Sequence, residues 1–151
     1  MTRLILAVVR HSNARRFALV LIVVAAISSL ACGRTGPVAP PLHELQRVHA
    51  GEIDVLLLAP TTALAQTRNF CTFEFRTGTD DHPVDVGTVT VRTTMSMEGQ
   101  PMDGYVTDVK RIDTGRYEVQ MVLAMSGSWQ ISVGWEGAAG RGTATFAAVV
   151  R

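Results

Sequence analysis

The chain has only two cysteines, Cys32 and Cys71, too few for a disulfide framework. Beyond Glu52 no stretch of helical length carries apolar residues at helical spacing, which excludes a helical domain. No Gly-x-Ser-x-Gly elbow is present, and Ser126 and Ser128 have no neighbouring His or acid to activate them. No nucleophile and base pair is legible, so the chain is not expected to be an enzyme. His43, His49 and His82 are scattered, with no pair at ligand spacing. Aromatic residues make up 6%, and none cluster between basic residues as a base-stacking platform would require. The formal net charge of +1 conceals an asymmetry, because four of the fourteen basic residues (Arg3, Arg10, Arg15 and Arg16) precede Cys32 in a segment without acids. The rest carries ten basic against thirteen acidic side chains, a net charge of −3. No basic stripe remains to recruit nucleic acid, which is excluded as a partner.

A length of 151 residues leaves room for one domain and an export signal. Arg15 and Arg16 precede the apolar run Phe17 to Ile27, which closes on Ser28-Ser29-Leu30-Ala31 before Cys32. A basic n-region, an apolar h-region and small residues at a cleavage site define a secretory signal, and the run is short for a membrane span. Residues 1–31 are therefore expected to be a cleaved signal peptide. Ser29-Leu30-Ala31-Cys32 resembles the lipobox of bacterial lipoproteins, which implies lipid attachment at Cys32. The alternative is ordinary signal peptidase cleavage after Ala31, leaving Cys32 unmodified. Residues 32–50, with Gly33, Gly36, Pro37, Pro40 and Pro41, read as a flexible, lipid-anchored spacer, in which residues 42–49 add a short helical turn. The expected location is extracytoplasmic: anchored to the cell membrane or outer membrane and facing the periplasm or exterior.

Residues 51–151 read as one all-β domain, because period-2 apolar runs recur between Gly, Pro, Asn and Asp turns. The expected strands are 52–58, 68–76, 86–94, 105–112, 116–124, 129–135 and 143–150. About seven short strands imply an immunoglobulin-like antiparallel β-sandwich. Val89, Val91, Thr93, Met95 and Met97 share the inward parity of one strand, and Tyr117, Val119, Met121, Leu123 and Met125 that of another. Cys71 shares parity with Phe73 and Phe75, which reads as a small buried hydrophobe, the alternative being a reactive thiol.

Several of these positions together resemble the YtkA-like domain family, which is similar to FixH and, in overall fold, to the copper carrier CopC. They are Pro60 closing the opening strand, Asn69 heading the second, Met95-Ser96-Met97 with Pro101-Met102, Gly115-Arg116-Tyr117, and Met125-Ser126-Gly127-Ser128-Trp129. The resemblance implies a small exported sandwich with a role beside metal handling.

Met95, Met97, Met102 and Met125 form the candidate metal site. Thioether sulfur is a soft neutral donor that suits Cu(I) in an oxidising compartment, so copper is the candidate cofactor. Core packing competes with this for Met95, Met97 and Met125, which all have inward parity. Asp80, Asp81 and Asp85 surround His82 as an acidic loop without the fixed spacing of an oxygen-ligand site. The expected function is a membrane-anchored extracytoplasmic binding or accessory module, in copper handling through Met thioethers. The alternative is a metal-free structural or interaction module of the cell envelope with a protein partner.

Overall fold

The inward–outward alternation read from the sequence builds two facing sheets. The computed structural model describes residues 40–97 and 99–151; the signal segment and residues 32–39 of the expected spacer, Cys32 among them, lie outside the described residues. Nine strands follow in order: β1 (His43–Ala50), β2 (Ile53–Ala59), β3 (Arg68–Thr77), β4 (Thr88–Met97), β5 (Gln100–Asp103), β6 (Tyr105–Asp113), β7 (Arg116–Val122), β8 (Gly127–Gly137) and β9 (Gly140–Val150). The first sheet has the order β1-β2-β3-β7-β6 and the second β5-β4-β8-β9, with every paired neighbour antiparallel. The protein is an all-β sandwich, and among the described residues no helix is long and apolar enough to cross a membrane.

Each of the seven expected strands is present, and two more join them. Residues 43–50, expected as the end of the spacer with a helical turn, are instead the edge strand β1, paired along its length with β2. Leu45, Val48 and Ala50 pack against the core from this strand, so the described unit starts at Pro40 and the sandwich takes in residues previously assigned to the tether. The second addition, β5, occupies the expected turn after β4.

Inward residues of both sheets meet in one core. Val55, Leu57, Cys71, Phe73, Phe75, Val119 and Met121 come from the first sheet, and Trp129, Ile131, Val133, Trp135 and Phe146 from the second. Phe75 meets Tyr117 and Trp135 edge-on, with ring centroids 5.5 and 5.4 Å apart, an arrangement that adds roughly 0.5–1.5 kcal/mol per pair beyond burial. The Tyr117 hydroxyl donates to the Gly87 carbonyl at 2.6 Å, which ties the β3–β4 crossover to the centre of the first sheet. The turn joining β6 and β7 needs Gly115 at φ +65°, and a Cβ there would lie 2.6 Å from the Val84 carbonyl and 2.7 Å from that of Phe75.

One end of the sandwich, here the entry end, is where β1 begins. Register places His43 opposite Ala59, and Arg68 and Tyr105 both opposite Val122, in the first sheet. In the second sheet it places Met97 opposite Gln100, and Gly127 opposite Val150. The loop 60–67 closes this end, held by Asn69. The Asn69 side chain is buried; it accepts from the Ala65 N–H and donates to the carbonyls of Ala65 and Thr67.

Candidate functional site

Met95 lies near the end of β4 with its side chain directed inward. Cross-strand register puts Met102 of β5 on one side of it and Trp129 of β8 on the other. Trp129 is almost fully buried and its indole N–H donates to the Met125 carbonyl at 2.9 Å, so the loop after β7 is pinned to the head of β8. The terminal methyl of Met95 reaches over Gly127, 3.1 Å from where a Cβ would stand. Met102 and Met125 are half-buried against the core. Met95 is thus flanked in register by Met102 and Trp129, and Met125 is joined to Trp129 through its backbone carbonyl, all at the entry end.

Met97 departs from its expected inward place. It is 43% exposed and pairs with Gln100 across the β4–β5 turn, because the inward face of β4 stops at Met95. Of the four candidate methionines, Met95 is buried, Met102 and Met125 are half-buried against the core, and Met97 is exposed.

Sequence reasoning missed two neighbours of this cluster. Thr93 is buried with its hydroxyl oxygen unpaired, and Gly104 leads from β5 to β6 so closely that a Cβ would lie 2.4 Å from Thr93 Oγ1 and 3.0 Å from the Trp129 ring. The spacing of Gly104 before a strand gave only a turn signal; its close approach to Trp129 depends on the two sheets meeting. Outside the cluster a shallow groove of about 400 Å³ runs past Met95, Ser96, Pro101, Ser128 and Trp129 on the second sheet.

Two of the three aspartates of the acidic loop, Asp81 and Asp85, are committed to ion pairs. Slight desolvation alone would raise the Asp81 carboxyl, but hydrogen bonds from Arg47 and Arg76 outweigh it and hold that group below the usual carboxylate range. Asp85 pairs with Arg111 at 2.9 Å and accepts from the Gly87 N–H. Among the described residues no group of three His, Cys, Asp or Glu is placed to hold a metal. Cys71 is packed beside Phe73 and Phe75 as expected of a small hydrophobe, and burial pushes its thiol up to about 12, where little thiolate exists at neutral pH.

With this geometry in place, the comparison with protein families is specific: the YtkA-like family model matches residues 50–134, more than half of the chain. The chain belongs to the YtkA-like family. The match spans β2 to the middle of β8 and so includes Met95, Met102, Met125 and Trp129. Among solved structures, the Lin-41 filamin domain is similar to this YtkA-like chain at 12% identity, covering 59% of this chain and 81% of that one with a TM-score of 0.39. No curated protein matches it.

Proposed function

We propose that this YtkA-like protein is an exported, membrane-anchored accessory module that binds rather than transforms its ligand, and that the ligand is Cu(I). The reading is supported by one observation above all: Met102 of β5 and Trp129 of β8 flank Met95 in register and the Trp129 indole is bonded to the Met125 carbonyl of the β7–β8 loop, so three methionines belong to one end of the sandwich. Their chemistry fits a soft monovalent ion. Three neutral sulfurs add no charge to the site, and they need not lose a proton to coordinate, in contrast to thiolate or imidazolium ligands. The same residues serve as packing when no ion is bound, as Met does well. Copper is cargo in this reading, and a site of neutral donors at a sandwich edge releases it readily to a partner.

Titration of the protein with Cu(I), against the Met95→Leu/Met102→Leu/Met125→Leu triple replacement, tests the reading. The native chain is expected to bind one ion with an affinity unchanged between about pH 5 and 8, because thioethers do not titrate there, and the triple variant to lose that binding. Equal and negligible binding by both removes copper and leaves a metal-free interaction module of the envelope.

A further inference from the structure

Among the described residues six large apolar side chains are exposed: Leu42, Phe70, Met97, Tyr105, Ile112 and Val149. Their distribution is uneven. Leu42 immediately precedes β1, Phe70 is the third residue of β3, Tyr105 opens β6, Met97 ends β4, and Val149 stands opposite Ser128 at the head of β8. All five belong to the entry end, and only Ile112 belongs to the other. Scattered exposed apolar residues need no explanation, but a collar of them round one end does.

The opposite end carries Glu52, Asp80, Asp81, Asp85, Asp113 and Glu136 in its turns and strand ends, of which Asp81 pairs with Arg47 and Arg76, Asp85 with Arg111 and Glu136 with Arg141. Among the described residues the entry end carries Arg68 and Arg151; Glu44 and Asp103 are set back from it and paired with Arg47 and Arg92.

The chain itself enters here. Residues 33–42 separate Cys32 from β1, a link that reaches at most about 36 Å and about 17 Å as a random coil. Acylation of Cys32 would bring a bilayer within that distance of the collar.

We infer that the entry end is a membrane-facing surface: Leu42, Phe70, Met97, Tyr105 and Val149 seat in the headgroup layer of the bilayer that anchors the chain, with Arg68 and Arg151 beside anionic headgroups. This rests on the anchored reading proposed above. Tethering makes the contact intramolecular, so a collar too weak to hold a free domain on lipid suffices here. The aromatic members suit the interface, where an amphipathic ring is favoured. The orientation also turns the Met95, Met102 and Met125 edge toward the bilayer.

The full chain, produced in a bacterium that processes lipoproteins, is reconstituted in phosphatidylethanolamine and phosphatidylglycerol vesicles containing lipid brominated near the headgroup. Probes are Tyr105→Trp at the entry end and Ile112→Trp at the other, with emission of the unsubstituted chain subtracted. The probe at position 105 is expected to lose about half its emission, since a side chain at interfacial depth contacts the brominated segment, and the probe at position 112 to lose almost none. Adding Phe70→Ser and Val149→Ser to the Tyr105→Trp chain is expected to weaken that quenching while flotation with vesicles persists. Flotation with neither probe quenched, or with both quenched alike, overturns the orientation alone. A chain that does not float removes the anchored reading and the orientation with it. Dimers cross-linked through Tyr105→Cys, with no quenching at position 105, assign the collar to a second copy and overturn the proposal.

Discussion

Truncation of Asn69 is the sharpest test of how the entry end is held. Its amide makes three hydrogen bonds of 2.9, 3.0 and 2.9 Å to Ala65 and Thr67, and the residue is only 7% exposed. Water replaces these bonds poorly at that depth. At about 1 kcal/mol for each bond, Asn69→Ala is expected to cost about 3 kcal/mol, a fall in Tm of roughly 10–15 °C for a domain of this size. Gln66→Ala is the control, since Gln66 lies on the same loop and makes one exposed bond to the Ala124 carbonyl at 3.1 Å; it is expected to cost no more than about 0.5 kcal/mol. Urea denaturation followed by tryptophan fluorescence reads both. A cost for Asn69→Ala within about 0.5 kcal/mol of the control would refute the assignment of loop closure to this side chain.

Other perturbations follow from the same structure. Because burial raises the Cys71 thiol to about 12, the unfolded chain releases that proton first. Stability is thus full below about pH 8.5 and falls as pH rises toward the folded value; Tyr117, raised by burial and then by Asp85, adds to the loss. Cys71→Ala should flatten the dependence of urea midpoints on pH between about 8.5 and 10.5, and an unchanged slope would contradict it. Met95→Ala is expected to cost about 2–5 kcal/mol and Met97→Ser less than about 0.5 kcal/mol, a contrast in denaturation midpoints that checks where the inward face of β4 ends. Gly115→Ala combines a positive φ with backbone oxygens in the way and should cost more than about 2 kcal/mol by thermal melting.

Strands β2, β3, β4 and β7 to β9 were legible because each has a buried face, and a buried face writes its parity into the chain; β6, half-buried only at Val106 and Val109, was legible from the turns that bound it. β1 was not, for a geometric reason. Its register shifts between Glu44 and Gln46, so the inward residues Leu45 and Val48 fall three apart and imitate a helical turn. β5 is four residues with Pro101 inside, which reads as turn alone. Parity also missed burial on the outer face of the first sheet. Leu56 lies in register between Arg47 and Glu74 and is 3% exposed, beside the long apolar stem of an arginine. Glu74 is itself buried, its carboxylate bonded to Arg76 two residues along the same strand and flanked by Arg116 from β7, and the contribution of Arg116 depends on the β3–β7 pairing. At the candidate site the inward place of Met95 was legible from parity and the exposure of Met97 was not, and the close approach of Gly104 to Thr93 and Trp129 depends on how the sheets face each other.

Mass spectrometry of the mature protein recovered from membranes bears most directly on the proposed role, since anchorage underlies both the accessory role at the membrane and the membrane-facing collar. A chain beginning at Cys32 and carrying a diacylglyceryl group is the predicted result. A chain still beginning at Met1, recovered from the cytoplasmic fraction, would contradict it.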